Sequence, residues 1–255
     1  MDDSKAFAQE IREAVARQKD DPELYKLAQK WFLATSRHRY TYRFSWLGRP
    51  IVQRPQDILA MQELIWQLKP DMILETGIAR GGSMVFYASM LELLGGDRFV
   101  LGIDIDIRAH NRAAIEVHPM YGRIRMLEGS SIDPEIVAQA RDMAMDRKHV
   151  LVCLDSLHTE AHVLAELRAY SDLVPKGGYL VVLDTVIENM AEESLTNRPW
   201  SRTNNPATAL RFFLKENDRF QVDHEMGRQF YEPNSLPRMR WQQVEEGVIA
   251  FQDRR

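Results

Sequence analysis

The sequence predicts an α/β layer fold: a mostly parallel central sheet with helices on both faces, preceded by a helical N-terminal extension. Three observations predict it. Short apolar runs recur between Met72 and Asp184 and alternate with segments of helical period. The runs are apolar at successive positions, the pattern of strands covered on both faces. Phe99 to Asp104, Val150 to Asp155 and Tyr179 to Asp184 each end in an aspartate. Ligands of open α/β sheets bind beyond the carboxyl ends of the strands, so these acids stand where chemistry is expected.

Each element has its own local reason. Asp2 to Arg37 reads as two helices broken at Asp20-Asp21-Pro22, where aspartate caps and proline suits a first helical turn. Leu24, Leu27, Ala28, Trp31 and Phe32 form one apolar stripe, a packing face. On a terminal arm it suits a second subunit, so a homo-oligomer is expected. Residues 1–40 are assigned to this extension and 41–255 to the main domain. Pro55 to Leu68 reads as a helix, Met72 to Thr76 as the first strand of the sheet, and Gly82 to Leu94 as the next helix. A strand from Phe99, a helix near Arg108 to Val117 and a strand at Ile124 to Leu127 follow. Asp133-Pro134 opens a helix to about Arg147, then come the strand from Val150, a helix from Thr159 to Leu173 and the strand from Tyr179.

Composition removes several classes of function. With Lys plus Arg at 33 and Asp plus Glu at 37, the net charge is -4, which argues against nucleic-acid binding through bulk electrostatics. The single cysteine, Cys153, supports neither an internal disulfide nor a thiolate metal cluster. No run approaches a membrane span, and Met1 to Asp20 lacks the apolar core of a signal peptide. A cytoplasmic location is expected.

Two regions carry chemistry. After the first strand, Glu75-Thr76-Gly77-Ile78-Ala79-Arg80-Gly81-Gly82-Ser83 turns into a helix, and Asp104 follows about 20 residues on, where a carboxylate suits ribose hydroxyls. The glycine spacing is not that of a dinucleotide loop. Glu75 would repel a pyrophosphate but could face the ammonium group of S-adenosylmethionine, so that cofactor is favoured over a dinucleotide. Gly129-Ser130-Ser131 borders an adenine or, equally, forms a capping turn. In Asp155-Ser156-Leu157-His158 the carboxylate suits Mg²⁺ and the imidazole suits proton removal from a hydroxyl; Asp184 offers a second oxygen ligand. Both acids also suit helix capping. His158 and His162 share the i, i+4 spacing of helical zinc sites but lack the intervening H-E-x-x-H pattern, and His162 reads as a packing residue or one that supports the site from behind.

Several ordered motifs resemble the cephalosporin hydroxylase family, which includes rhamnosyl O-methyltransferases. They are Phe44-Ser45-Trp46-Leu47-Gly48-Arg49-Pro50-Ile51, the turn from Glu75 to Ser83, Ile103-Asp104-Ile105-Asp106, Gly129-Ser130-Ser131, Leu154-Asp155-Ser156-Leu157-His158, Arg198-Pro199-Trp200 and Asn205-Pro206-Ala207-Thr208. The resemblance runs from about Tyr42 to Arg240. It implies a Rossmann-like class I methyltransferase fold that uses S-adenosylmethionine on hydroxyls of sugars or natural products. Glu75, Gly77, Gly81, Gly82 and Ser83 would line the methionine end, and Asp104 the ribose; Ser130 and Ser131 keep their reading as an adenine border. Related Mg²⁺-dependent enzymes pair a metal-binding aspartate with a histidine base three residues later, matching Asp155 and His158. Their next strand ends in two acids, whereas here the pair is Leu183-Asp184, with Glu188 the nearest substitute. The resulting expectation is a Mg²⁺-dependent O-methyltransferase with a small-molecule or glycosyl acceptor. A non-catalytic nucleoside-binding or assembly module and a nicotinamide oxidoreductase are the rivals.

Overall fold

Pairing order shows how the apolar runs are used. The computed structural model describes residues 3–19, 21–223 and 249–253. Seven strands form one sheet: β3 (Met72–Thr76), β4 (Phe99–Asp104), β5 (Ile124–Glu128), β6 (Val150–Leu154), β7 (Tyr179–Val182), β8 (Phe220–Val222) and β9 (Ile249–Asp253), in the order β5-β4-β3-β6-β7-β9-β8. β3 to β7 run parallel, as expected, and β9 is antiparallel to both β7 and β8. That antiparallel edge was not expected from the sequence. The chain order reverses between β3 and β6, so the carboxyl ends of those two strands flank the crevice where such sheets bind ligands.

The register separates the two faces. Ile73, Val100, Leu151 and Val181 point to one side; Leu74, Leu101, Val152 and Leu180 point to the other. The first side is covered by α3 (Pro55–Leu68) and α4 (Gly82–Leu94), the second by α6 (Pro134–Ala144), α7 (Glu160–Tyr170) and α8 (Pro206–Glu216). α5 (Ala109–Glu116) joins β4 to β5. Residues Met84 to Ala88 of α4 are all buried because a hairpin, β1 (Phe44–Trp46) with β2 (Arg49–Ile51), covers the side away from the sheet. Trp46 donates its indole N–H to Ser89 Oγ at 2.9 Å, and its ring meets Phe86 edge-on. The hairpin leaves no room at the start of α4: a Cβ on Gly82 would lie 2.2 Å from the Pro50 carbonyl oxygen.

The extension consists of α1 (Asp3–Lys19) and α2 (Pro22–Ser36). Asp21 caps α2, accepting N–H bonds from Glu23 and Leu24. Of the predicted stripe, Phe32 is 6% exposed, whereas Leu27 is 62% and Trp31 37% exposed. Phe32 is fastened by Arg54, whose guanidinium lies 4.0 Å from the ring centroid and donates to Ser36 Oγ at 3.0 Å. Helices α3 and α4 have the predicted bounds, while α6 stops at Ala144, before the expected Arg147. The chain beyond Asp223, including 224–240 of the family resemblance, is outside the described residues except for β9.

Two features at the end of β3 set strong constraints. Gly77 has φ +91, and a Cβ there would lie 2.1 Å from the Asp155 carbonyl oxygen. Glu75 is buried between β3 and α4, accepting a 2.7 Å hydrogen bond from Ser83. Burial pushes its carboxyl up to about 8; the Ser83 and Tyr87 hydroxyls beside it oppose the shift, and the Asp104 charge adds to it.

Gly77→Ala should lower stability by about 2–4 kcal/mol, from overpacking plus a left-handed backbone; chemical denaturation measures it. A carboxyl whose folded pKa exceeds its unfolded value contributes stability that is complete below the unfolded pKa. That stability is lost as pH rises through the folded one. The native chain should therefore lose stability between about pH 4.5 and 8, and Glu75→Gln should show a flatter profile in denaturant titrations across that range.

Candidate active site

The parallel strand ends open into one cleft of about 1260 Å³. That exceeds the usual 300–1,000 Å³ of a single small-molecule pocket, leaving room for two ligands side by side. Its walls come from the turn after β3, the loops after β4, β5, β6 and β7, and the C-terminal end of α2.

On the β4 side, Asp104 organises the turn. Its Oδ2 accepts N–H bonds from Ile78 at 2.8 Å and Ala79 at 3.1 Å, and Oδ1 accepts one from Asp106 at 3.2 Å. Oδ2 is thereby filled, while Oδ1 keeps one further acceptor site. Ala79 has φ +48, a strained conformation held by this carboxylate and by Asn111, whose side-chain amide donates to the Ala79 carbonyl at 3.0 Å. Arg49 donates to the neighbouring Arg80 carbonyl at 2.5 Å. Ile105, 75% exposed, adds an apolar wall beside Asp104.

Beneath the β5 and β6 loops lies a polar network. Glu166, fully buried on α7, accepts from Ser131 Oγ at 2.5 Å and Ser156 Oγ at 2.6 Å. His162 Nε2 is 3.1 Å from Ser131 Oγ. The serine spends its single O–H on Glu166, so the imidazole N–H is the donor in that contact. Tyr170 donates to the Ser131 carbonyl at 2.5 Å. The network ties the loop after β5 to the loop that carries Asp155 and His158.

On the β6 and β7 side, Asp155, His158 and Asp184 converge, with one ligand atom from each within 4.8 Å of the others. His158 Nε2 is 3.0 Å from Asp184 Oδ2, and the Trp200 ring stands edge-on to the imidazole at 4.8 Å between centroids. Asp184 takes φ +57, a left-handed conformation that aspartate tolerates and that ends the strand abruptly. Burial pushes the Asp155 carboxyl well above the usual range, reinforced by the charges of Asp184, Glu75, Glu166 and Asp57. Asp57, on the first turn of α3, also lines the cleft; burial raises its carboxyl to about 7, against the pull of Arg54. So many crowded carboxylates favour a cation.

Of the residues singled out from the sequence, Gly77, Asp104, Ser130, Ser131, Asp155, His158 and Asp184 line this cleft. Glu75 and Ser83 bond to each other beneath the turn, Gly81 packs on Ile115 and Gly82 on β2, and none of these four lines the cleft. Glu188, the substitute ligand, is instead ion-paired with Arg211. Of the two readings of His162, the structure has the supporting one: it joins the Ser131–Glu166 network. Asp57 and Glu166 were not anticipated. The i, i+4 spacing of His162 and Glu166 was a usable signal; Asp57 reads in sequence only as an acid suited to a helix start.

Comparison with known proteins gives a consistent result. The family described as rhamnosyl O-methyltransferase/CmcI matches residues 38–235. A rhamnosyl O-methyltransferase of Mycobacterium leprae (strain TN) is 30% identical over 142 residues, covering 55% of this chain and 60% of that protein. One from Mycobacterium tuberculosis (strain H37Rv) is 29% identical over 163 residues, covering 61% and 64%. The chain thus spans less than two thirds of these relatives. Among solved structures, CmcI with Mg and SAM aligns with TM-score 0.54 and 19% identity over 82% of this chain and 77% of that one. The MycE methyltransferase of the mycinamycin biosynthetic pathway, with Mg and SAH, aligns with TM-score 0.51 and 18% identity over 87% and 54%. The fold is therefore that of class I methyltransferases, and the chain belongs to the rhamnosyl O-methyltransferase/CmcI family.

Proposed function

We propose that this chain is an S-adenosylmethionine-dependent, Mg²⁺-dependent O-methyltransferase that acts on a hydroxyl of a glycosyl or related natural-product acceptor. The observation that carries the reading is the Asp155, His158 and Asp184 constellation, which shares one cleft with Asp104. Relatives named rhamnosyl O-methyltransferase support the acceptor class, and Mg with SAM or SAH in CmcI and MycE supports the cofactors.

The donor set fits a hard cation: two carboxylates open to the cleft and crowded by further acids. Asp155 and the Oδ1 of Asp184 would hold it, because Asp184 Oδ2 is engaged by His158. Asp104 would take the ribose hydroxyls, while Ser130 and Ser131 border the adenine. The cofactor brings an electrophilic methyl on a sulfonium, and the cation brings positive charge that favours an alkoxide. His158 performs the proton transfer. Its Nε2–H donates to Asp184, which leaves Nδ1 as the basic atom, and the same carboxylate stabilises the imidazolium once Nδ1 is protonated. Trp200 fixes the ring plane and keeps water from that side of the imidazole. The exposed Leu27 and Trp31 on the 1–40 extension are read as a self-association face, with 41–255 as the methyltransferase domain. Cys153, buried and unpaired, suits a reducing cytoplasm.

His158→Ala should reduce kcat by about 10²–10⁴-fold, the usual worth of a general base, while S-adenosylhomocysteine affinity measured by calorimetry stays within twofold. Loss of that affinity with turnover intact would place the base elsewhere. Chelator should abolish methyl transfer to a glycoside panel, followed by mass spectrometry, and Mg²⁺ should restore it. Full turnover in chelator would leave Asp155 and Asp184 as capping groups. Cofactor binding with no transfer to any member would favour the non-catalytic module.

A further inference from the structure

Several arginines are neutralised by acids, as in Arg112 with Glu128, Arg168 with Glu216, Arg219 with Asp172 and, at the cleft itself, Arg108 with Asp106. Arg37, Arg39 and Arg198 line the cleft, and none has a carboxylate partner among the described residues. Arg37 and Arg39 come from the segment after α2, and Arg198 from the segment between β7 and α8. The chain as a whole carries -4, so this rim runs against the net charge. Two of the three guanidiniums are carried on aromatic rings: Arg39 lies 5.6 Å from the Tyr42 centroid and Arg198 5.2 Å from that of Trp200. Such stacking leaves the edge N–H groups of the fork free for a planar or tetrahedral anion. Trp200 also touches His158, which puts the charge of Arg198 one ring away from the proposed base.

We propose that the acceptor is an anionic glycoside, bound with its phosphate or carboxylate oxygens against Arg37, Arg39 and Arg198 and its target hydroxyl toward His158. The inference rests on the methyltransferase reading for the role of His158, but the anion site itself is read by binding. A neutral sugar would leave the three charges unanswered, while a phosphate or carboxylate answers them bidentately.

The test is calorimetry on the whole chain, saturated with S-adenosylhomocysteine and Mg²⁺, against three matched panels. These are neutral methyl glycosides, glycosyl 1-phosphates and glycuronic acids of the same sugars. At least one anionic panel should contain a member that binds tenfold or more tightly than its neutral counterpart. Which panel it is identifies the anion as phosphate or carboxylate. Combined Arg37→Gln, Arg39→Gln and Arg198→Gln should erase that gap and leave S-adenosylhomocysteine affinity unchanged; should the triple variant not fold, the three single variants should each narrow the gap. Equal binding of neutral members, a gap that survives substitution, or no binding of either anionic panel at millimolar concentration would overturn the proposal. S-adenosylhomocysteine affinity in the same cell judges the methyltransferase reading separately, since its absence counts against that reading and not against the anion site.

Discussion

The open end of the sheet depends on how closely the turn after β3 lies against the end of β6. Gly77 N donates to the Ile103 carbonyl at 2.7 Å on one side, while Asp155 N donates to the Thr76 carbonyl at 3.0 Å on the other. Between these bonds there is no space for even one methyl group at Gly77. The close approach sets where Asp155 begins its loop, and so where His158 stands. It also brings the Gly77 turn within reach of Asp104, which holds Ile78 and Ala79 by their N–H groups. Glycine here serves the packing of protein on protein; the ligand surface is what that packing leaves open.

Charge is layered within the cleft. Acids gather on the floor: burial raises the carboxyls of Asp57 and Asp155, and the charge of the exposed Asp184 adds to both shifts. Arginines gather at the rim. Beneath both, Glu166 collects the hydroxyls of Ser131 and Ser156, so the loop after β5 and the loop after β6 hang from a single carboxylate oxygen.

Much of this was legible in the sequence because buried parallel strands have a strong signature. Met72–Thr76 and Phe99–Asp104 appear with the expected bounds, and the aspartates after β6 and β7 stand in the cleft. The antiparallel edge left a weaker trace: β8 has three residues, too short for its pattern to rise above that of a loop. Side-chain direction was the other blind spot. Glu75 reads as a ligand for a cation because it belongs to the turn motif, yet the alternation of β3 sends it inward beneath α4 to meet Ser83. Glu188 is close to Asp184 in sequence, yet the 3₁₀ segment Thr185–Asn189 carries it toward Arg211. Asp57 and Arg37 reach the cleft from elements far from it in the chain, and no local pattern encodes that.

The pairing of β3 with β6 has a kinetic meaning as well. Asp155 and Thr76 are 79 residues apart in the chain, while the strands β3, β4 and β5 are sequential neighbours. Closing a loop of that length costs roughly 4 kcal/mol in its length-dependent part alone. Long-range pairings of this kind slow folding, because the closure entropy is spent before the contacts reward it. The β3–β5 side can therefore form from contacts closer in the chain, whereas the β6 and β7 side of the cleft exists only once the distant segment has docked. A nascent chain ending before Val150 carries β3, β4, β5 and Asp104, and none of Asp155, His158 and Asp184.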